Sequence, residues 1–365
     1  MSYLWFALAV AIVLPYSLFP LGLRIFQKIV RPRRRIADEP VTIVCSLYNE
    51  ERIIAEKIKN FKKLQGDVRI LFGLDGCSDR TEHIILAEAR DRRIQYRNFP
   101  RSGKSKVLNG LLMEVETPLV VLTDANSMFR PEAILRLRDH MAEGVGVVVG
   151  KLVLTDAAGS SGEGFYWRFE TWLKTRESGW GSVMGANGAI YLIRRDLFEE
   201  LPKYAINDDF MISMKIYEKG YDVVYAPEAV AEEESSPGDT GEFKRHVRDG
   251  AGHVGAFRYL WRLLNPLRFK RFVFYFCHRV LRWLAPVLMI GLAGVSWFGG
   301  GWMRTSFWIQ MVGYCASAAI IGLKIRWKPL YVPTYFVMIN AALLVGYVRY
   351  ALGLQSITWK STERN

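Results

Sequence analysis

The chain has 365 residues, more than one typical domain, and 50% of them are hydrophobic, so it can bury a sizeable core. Its formal net charge is +13, and its basic runs adjoin apolar stretches, which favours an anionic membrane surface as partner and argues against nucleic acid. Its four cysteines form no close pair, which argues against a disulfide framework or a zinc knuckle and suits a reducing cytosol.

The amino-terminal stretch Tyr3–Leu23 carries no charge and is long enough to span a bilayer. A signal peptide is disfavoured because no basic region precedes the stretch and no small-residue cleavage site follows it. Pro15 and Pro20 should kink the helix, which membrane helices tolerate. The basic residues between Arg24 and Arg35 should stay in the cytosol. Residues 1–35 are therefore predicted to be a transmembrane helix with a cytosolic flank, in the inner (plasma) membrane.

Residues 36–240 have the pattern of a cytosolic α/β domain. Short β-branched runs predict strands at Val41–Leu47, Val68–Leu74, Leu119–Thr123 and Gly146–Val149, and helical patterns lie near 50–64, 80–90, 103–115 and 131–140. Such alternation predicts a mostly parallel sheet covered on both faces. In such sheets ligands bind beyond the carboxyl ends of the strands.

The last third of the chain has the composition of a membrane-bound segment. Residues 241–283 mix basic and aromatic side chains on helical spacing, as interfacial amphipathic helices do. Residues 284–365 contain apolar stretches at 284–299, 305–323 and 330–352, of which the first is short and can extend upstream to 272. Lys324, Arg326 and Lys328 predict a cytosolic turn. The sequence thus predicts four spans and an external tail, and one miscounted span would reverse the tail.

Two polar clusters follow the first two predicted strands. Tyr48, Asn49 and Glu50 come after the first, where a polar turn that caps the next helix is the alternative interpretation. Asp75 ends the second, apolar strand, where a carboxylate is expected to gain nothing structurally, so it is predicted to accept hydrogen bonds from a nucleobase or a ribose. Asp79 fits a helix N-cap.

A third cluster, from Arg101 to Lys106, is a basic turn with one glycine at a helix start. Such a turn suits a phosphate group, although its spacing is not that of a Walker A loop. Lys104 is the predicted pyrophosphate contact, whereas Lys106 is predicted to be solvated.

The fourth cluster is Asp124 and Asn126, which follow a fully apolar strand. Two oxygen-bearing side chains spaced i and i+2 can reach one Mg²⁺ or Mn²⁺, whose shell is completed by diphosphate oxygens and water. A turn is the alternative interpretation, and it suits Asn126 better than Asp124.

The fifth cluster, Asn207-Asp208-Asp209-Phe210, opens a helix. Acids in a first turn favour the helix dipole, but two adjacent carboxylates exceed what capping requires. Their mutual repulsion would raise one pKa, which suits a general base. Asp209 is the predicted base, and Asp208 is predicted to set its environment.

In this order and spacing, the clusters resemble the family-2 glycosyltransferases, which join a Rossmann-like (GT-A type) nucleotide-sugar domain to membrane helices and include the cellulose, chitin, hyaluronan and poly-N-acetylglucosamine synthases. The resemblance covers roughly residues 41–255. It matches Tyr48–Glu50 to the family's opening motif, Asp75–Asp79 to its uridine segment and Asp124–Asn126 to its Asp-x-Asp metal motif. It also implies that Asn187 and Gly188 line the sugar pocket and that Asp209 is the base of the Thr-Glu-Asp motif.

The chain departs from the family pattern at two places. Asn126 replaces the second metal-motif acid, so the ion would rely more on donor phosphates. The Gln-x-x-Arg-Trp signature of processive synthases aligns with Arg245–Asp249, so the resemblance implies that Arg245 contacts the donor and that Arg248 stabilises the leaving diphosphate. The acceptor-stacking Trp is missing. Aromatic residues that can replace it are His253, Phe257, Trp261, Trp167 and Trp172.

The resemblance implies inverting transfer of a sugar from a UDP-sugar to a growing polysaccharide or a glycolipid at the cytosolic membrane face. A single addition to a polyprenyl-linked acceptor stays open, as does a non-catalytic membrane scaffold that binds nucleotide sugars. Four spans are few for a polysaccharide channel, which would then require a homo-oligomer or very tight packing. The sequence does not identify the sugar.

Overall fold

The computed structural model describes residues 1–26, 39–88, 91–155, 163–234, 239–325 and 327–354. These residues form two compact units. The described residues within Lys28–Ala157 and Glu177–Ser235 make up the first, which we call the sheet unit. Those within Met1–Gln27, Ala158–Arg176 and Ser236–Gln355 make up the second, the helical unit.

The secondary structure changes from mixed to all-helical along the chain. The α-helices are α1 (Ser2–Val13), α2 (Leu18–Ile25), α3 (Ile54–Lys62), α4 (Thr81–Glu88), α5 (Lys104–Glu114), α6 (Ala133–His140), α7 (Glu163–Ser178), α8 (Asp208–Lys219), α9 (Asp239–Tyr259), α10 (Phe269–Phe274), α11 (Leu281–Gly299), α12 (Gly301–Gly322) and α13 (Lys328–Ala351). The strands are β1 (Val41–Leu47), β2 (Val68–Asp75), β3 (Ile94–Phe99), β4 (Leu119–Thr123), β5 (Met128–Phe129), β6 (Val145–Thr155), β7 (Tyr191–Arg194) and β8 (Asp222–Glu234).

The sheet unit is built on one eight-stranded sheet with the strand order β3-β2-β1-β4-β7-β6-β8-β5. The first four strands are parallel, as predicted. β7 then runs antiparallel to both neighbours, β4 and β6, while β6 pairs with β8 in parallel and β5 lies antiparallel to β8. The sheet is therefore mixed, and the prediction of a Rossmann-like α/β fold is confirmed.

The central strands are continuous apolar runs because helices cover them. All five residues of β4 are buried, and Ile58 and Phe61 of α3 belong to the same core cluster as Ile43 and Phe72 of the sheet. α5 packs on β1 and β2, where Gly73 leaves room for Val107, since a Cβ at Gly73 would lie 2.4 Å from a Val107 methyl group. This close packing fixes the loops at the carboxyl ends of β1, β2 and β4.

The helical unit contains two helical stretches that are long and apolar enough to cross a membrane, Pro266–Gly299 and Pro329–Ala351, among the described residues. A third is added if the bent pair Ser2–Tyr16 and Leu18–Ile25 counts as one span; its 48° bend lies at the prolines that predicted a kink. α12, which covers the predicted span 305–323, is helical but falls outside this set. The stretch Pro266–Gly299 begins upstream of residue 284, in agreement with the expectation that 284–299 alone is too short to span a membrane.

α9 and α13 pack together inside the helical unit. Two glycines allow their backbones to approach closely: a Cβ at Gly346 would lie 2.2 Å from the carbonyl oxygen of Val247, and one at Gly250 would lie 2.7 Å from that of Leu343. Small residues at such crossings are typical of closely packed membrane helices. α9 begins the segment that is predicted to be interfacial, and it packs against α13.

Candidate active site

The loops that follow β1 and β2 are held together by hydrogen bonds between side chains and backbone. Asn49, in the left-handed region with φ of 53°, accepts a hydrogen bond from the Ser78 N–H at 2.9 Å. Asp79 accepts hydrogen bonds from the backbone N–H groups of Glu51 and Thr81, both at 3.0 Å, and so caps α4. Burial raises the pKa of Asp79, but these hydrogen bonds outweigh it and lower the pKa below the ordinary value. Asn49 and Asp79 therefore shape the loops.

Asp75 lies at the end of β2 with only 1% of its surface exposed. Its carboxylate accepts hydrogen bonds from the backbone N–H groups of Ser102 (2.6 Å) and Gly103 (3.0 Å) and pairs with the Arg101 guanidinium. A carboxylate at this position therefore has a structural role, contrary to the expectation from the sequence, because Asp75 fixes the turn before α5. Its contact with the donor stays a prediction.

Arg101 is a residue that sequence reasoning placed only within a basic turn. Its guanidinium carbon lies 3.3 Å from the ring centroid of Tyr48, so the two groups stack. Tyr48 and Arg101 thus form a flat surface beside Asp75, of the kind that a nucleobase can extend. Two features of the sequence indicated this stack. Tyr48 is an aromatic residue directly after β1, and Arg101 is an arginine between β3 and α5.

Lys104 connects two acidic clusters that are far apart in sequence. Gly103, with φ of 91°, precedes α5 and places Lys104 in its first turn. The Lys104 Nζ lies 2.8 Å from Oδ1 of Asp124 and 3.0 Å from Oδ2 of Asp208. Burial lowers the pKa of Lys104, but the charges of the two carboxylates outweigh it and raise the pKa, so the ammonium stays charged.

Asp124 lies directly after β4, where its backbone N–H donates to the carbonyl oxygen of Gly188 at 3.0 Å. A Cβ at Gly188 would lie 2.4 Å from Oδ2 of Asp124, so this glycine makes room for the carboxylate. The Asp124 side chain is 37% exposed and can reach a bound ion. Asn187, the neighbour of Gly188, instead directs its amide to the backbone of Gly150 and Ile190, each at 3.3 Å.

The residues present fit a divalent cation that binds together with a ligand. No group of three or more His, Cys, Asp or Glu side chains with metal-binding geometry occurs in the part of the chain that the structure describes. Asp124 offers an exposed carboxylate, and Asn126, half-buried two residues later, offers an amide oxygen. Mg²⁺ and Mn²⁺ take few protein ligands of this type when phosphate oxygens and water complete the shell.

Asp208 and Asp209 begin α8, and the two side chains have different surroundings. Asp208 is buried and faces Lys104. Asp209 is half-buried, and its Oδ1 accepts a hydrogen bond from the Phe210 N–H at 2.7 Å. Burial, followed by the negative charge of Asp208, raises the pKa of Asp209 to about 7. A carboxylate with this pKa can take up a proton near neutral pH.

Four further predicted site residues lie in the helical unit. Arg245, Arg248 and His253 are on α9; Arg245 pairs with Glu242 at 2.9 Å, and the His253 ring stacks on Trp283 with centroids 4.8 Å apart. Trp167 is in α7, and its side chain lies outside the described residues. The catalytic role of Arg248, the donor contact of Arg245 and the acceptor contacts of His253 and Trp167 stay predictions.

Lys57 is a buried residue near the site that sequence reasoning missed. It lies in α3 with none of its surface exposed, and its Nζ donates to the Thr123 hydroxyl at 3.3 Å and to the Ser127 carbonyl oxygen. Burial lowers its pKa to about 8. The signal was its position three residues after Ile54, on the apolar face of the helix.

Comparisons with known proteins agree with this geometry. Residues 42–202 match the family model described as Glycosyl transferase family 2. No curated protein matches the chain. Among solved structures, the mannosyltransferase PcManGT from Pyrobaculum calidifontis, in complex with GDP-Man and Mn²⁺, is 18% identical, with 97% of this chain and 99% of that chain covered and a TM-score of 0.72.

Other solved structures resemble the chain over a smaller part of its length. Glucosyl-3-phosphoglycerate synthase from Mycobacterium tuberculosis, in complex with Mn²⁺, UDP and glucosyl-3-phosphoglycerate, is 17% identical over 61% of this chain and 81% of that chain, with a TM-score of 0.45. TarS from S. aureus is 15% identical over 62% and 40%, with a TM-score of 0.40.

The similarity to PcManGT shows a shared fold over nearly the whole chain. The family match begins at the start of β1 and ends beyond β7, so it includes Asp75 at the end of β2, Lys104 at the start of α5 and Asp124 directly after β4. The similarity to Glycosyl transferase family 2 is therefore carried by residues 42–202, which contain the parallel half of the sheet.

Proposed function

We propose that the protein transfers a sugar, with inversion at the anomeric carbon, from a UDP-sugar to an acceptor hydroxyl at the cytosolic membrane face. One observation carries the proposal. The Lys104 ammonium lies within 3.0 Å of both Asp124 and Asp208, with Asp209 next in the chain. A phosphate-binding cation, a metal-binding carboxylate and a base with a raised pKa thus meet where the sheet topology expects a ligand.

The nucleoside end of the donor is assigned to the loops after β1 and β2. Tyr48, Asn49, Glu50 and Asp75 are the donor contacts in this proposal, and the Tyr48–Arg101 stack adds a face for the base. Lys104 is assigned to the diphosphate. Its two carboxylate contacts keep the ammonium at the site, and the diphosphate would compete with them for it.

Asp124 and Asn126 would hold Mg²⁺ or Mn²⁺, which when bound neutralises charge on the departing diphosphate. Asp209 removes the proton from the acceptor hydroxyl. The acceptor oxygen then forms a bond to the anomeric carbon as the bond from that carbon to the diphosphate oxygen breaks, and the electron pair leaves with the nucleoside diphosphate. Lys104 stabilises this leaving group, and Arg248 is assigned the same role on the family resemblance alone.

A lipid-linked acceptor fits the helical unit better than a polysaccharide that crosses the membrane. The described residues contain two apolar spans, or three with the bent pair, and a channel through so few helices would need a homo-oligomer. A membrane groove needs only one copy. Asn187, Gly188, His253 and Trp167 are the proposed acceptor contacts.

A GDP-sugar is a second candidate donor. The solved structure that shares its fold over 97% of this chain is described as holding GDP-Man and Mn²⁺. The Tyr48–Arg101 stack suits a purine as well as a pyrimidine, because every base has an aromatic face.

The test is turnover of purified full-length protein in lipid nanodiscs with a panel of UDP-sugars and GDP-mannose. Release of nucleoside diphosphate and product mass are both measured, with Mn²⁺, with Mg²⁺ and with chelator. We expect metal-dependent release that falls by about 10²-fold or more in Asp124→Ala and in Asp209→Asn. Asp196→Asn, whose side chain is 60% exposed on the surface, is the matched control and should keep wild-type activity.

Three outcomes decide between the candidates. One added sugar on a polyprenyl-linked lipid supports single addition, and a ladder of masses supports a processive synthase instead. Release that is metal-independent and survives both substitutions contradicts the mechanism. Nucleotide binding without release from any donor would show the non-catalytic scaffold.

A further inference from the structure

A buried lysine lies beneath the loop that carries the metal-site residues. Lys57 of α3 has none of its surface exposed, and its ammonium lies between two aromatic rings, 4.6 Å from the centroid of Phe61 and 4.7 Å from that of Phe129. The mechanism above uses no group at this position. Core packing alone does not explain a lysine here, because leucine or methionine would fill the space without burying a charge.

The ammonium is compensated by the loop above it. Its hydrogen-bond acceptors are the hydroxyl of Thr123 at 3.3 Å and the carbonyl oxygen of Ser127. These two residues are the ends of the segment Thr123–Ser127, which contains Asp124 and Asn126. A single buried cation thus connects both ends of the segment. Since a buried charge is costly unless it is hydrogen-bonded, these contacts hold the segment in one conformation.

Neighbouring contacts brace the same segment. The Thr123 hydroxyl donates to the Ala189 carbonyl oxygen at 2.7 Å, and the Ser127 hydroxyl donates to Glu233 of β8. One turn of α3 beyond Lys57, the Asn60 side-chain amide donates to the Phe129 carbonyl oxygen and accepts from the Phe129 N–H, both at 2.8 Å. The segment Thr123–Ser127 and the adjacent Phe129 are therefore held by hydrogen bonds to several separate elements.

We propose that Lys57 is a positioning residue that ties Thr123 to Ser127 and thereby presents Asp124 and Asn126 together to the cation that binds with the donor. The proposal rests on the function proposed above, since it assumes a cation at these two side chains. Lys57 itself does not touch the cation or the sugar. It matters more here than in a site with two acids, because an amide oxygen binds a cation weakly unless it is held in place.

The test compares Lys57→Met, which keeps the volume and removes the charge, with Lys59→Met, an exposed lysine of the same helix. Binding of Mn²⁺ in the presence of UDP or GDP is measured by electron paramagnetic resonance and calorimetry. Circular dichroism and thermal unfolding report the fold. We expect cation affinity in Lys57→Met to fall by about tenfold to a hundredfold, as for other residues that orient metal ligands, and Lys59→Met to match the wild type.

Kinetics separate positioning from a general loss of structure. In Lys57→Met the Mn²⁺ concentration for half-maximal turnover should rise by about tenfold or more, whereas kcat at saturating Mn²⁺ should change much less. If Lys57→Met does not fold, Thr123→Val removes one of the two contacts in a smaller change, and a several-fold rise in the same Mn²⁺ concentration is expected.

The outcomes distinguish this inference from the proposed function. Wild-type cation affinity in a folded Lys57→Met protein, or in Thr123→Val when that variant carries the test, overturns the role of Lys57 and leaves the proposed function standing. If the wild-type protein itself shows neither nucleotide-dependent Mn²⁺ binding nor metal-dependent turnover, the proposed function fails first.

Discussion

Three carboxyl groups and one ammonium meet at the candidate active site. Asp124 and Asp208 contact Lys104 directly, while Asp209 feels burial first and then the charge of Asp208. Without a bound metal ion, these four side chains together carry more negative than positive charge. Burial, followed by the charge of Asp208, raises the pKa of Asp209, and the excess negative charge provides the attraction for a divalent cation that a lone Asp-x-Asn pair would lack.

The raised pKa of Asp209 predicts a pH dependence of activity. A general base works only when it is ionised, so kcat/KM of the wild-type protein should rise with pH and level off above about 7. Asp209→Asn should be slower by about 10²-fold to 10⁴-fold and should lose this rise. The measurement is a pH–rate profile between pH 5 and 9 at saturating Mn²⁺. A rise that persists in Asp209→Asn would assign it to another group.

The same pKa predicts an effect on stability with a defined sign. The folded pKa of about 7 lies above the ordinary value of 3.8, so ionising Asp209 disfavours the folded state as the pH rises between these values. Asp209→Asn should therefore be more stable than the wild type at pH 8, by up to about 4 kcal/mol, and nearly equal to it near pH 4. Thermal unfolding at both pH values checks this, with Asp196→Asn as the control. Equal shifts at both pH values would contradict it.

Gly188 should be essential to the metal site without being essential to the fold. A Cβ there would lie 2.4 Å from Oδ2 of Asp124, so Gly188→Ala must displace the carboxylate. We expect the Mn²⁺ concentration for half-maximal turnover to rise by about tenfold or more, with thermal unfolding near that of the wild type. Gly313→Ala, where a Cβ meets nothing within 4 Å, is the matched control. Unchanged Mn²⁺ dependence would show that the carboxylate moves freely.

At the scale of elements, buried apolar runs were predictable and exposed or short strands were not. β1 and β4 have the predicted bounds, because a strand covered on both faces is apolar throughout. β3 has mostly exposed or half-exposed residues, and β7 has only four. β8 ends in three glutamates, and such a run of charged residues indicates a loop rather than a strand. The mixed half of the sheet depends on these strands, so its topology could not be predicted.

The candidate site was predictable where position on an element decides it. Asp75 ends a strand, Asp124 directly follows one and Asp208 begins a helix, so sheet topology leads one to expect them at the same edge of the sheet. The pairing of Lys104 with Asp208 depends instead on tertiary packing between distant segments. The stack of Arg101 on Tyr48 and the burial of Lys57 have the same origin. A lysine on a helix is usually solvated, so the sequence alone did not reveal that Lys57 is buried.

The close crossing of α9 and α13 predicts sensitivity to a single methyl group. A Cβ at Gly346 would lie 2.2 Å from the Val247 carbonyl oxygen, so Gly346→Ala must separate the two backbones. We expect a loss of about 1 to 3 kcal/mol in the helical unit, although alanine favours a helix more than glycine does. Thermal inactivation in detergent compares it with Gly313→Ala, which should be neutral or stabilising. Equal inactivation of the two variants would show that the crossing relaxes.

At the scale of the whole molecule, the number of spans decides the side of the carboxyl-terminal tail. α12 is less apolar than the other candidate spans, yet Lys324 and Lys328 beyond it favour the cytosol. We predict that α12 crosses the membrane and that the tail is external. Ser361→Cys in a cysteine-free background should therefore react with an impermeant maleimide on intact cells, whereas Lys63→Cys should be protected. Protection of both would mean three spans and a cytosolic tail.

The parallel pairing of β6 with β8 has a consequence for how the protein is made. The matched family domain ends at residue 202, but β8 begins only at Asp222. During synthesis the long β6 therefore waits with one edge unpaired while the ribosome adds α7, β7 and α8, and an unpaired edge is prone to aggregation. Since β8 precedes Pro266–Gly299 in the chain, the sheet can be completed before that apolar stretch leaves the ribosome. A nascent chain released at residue 202 should aggregate, whereas one released after Glu234 should remain soluble and fold.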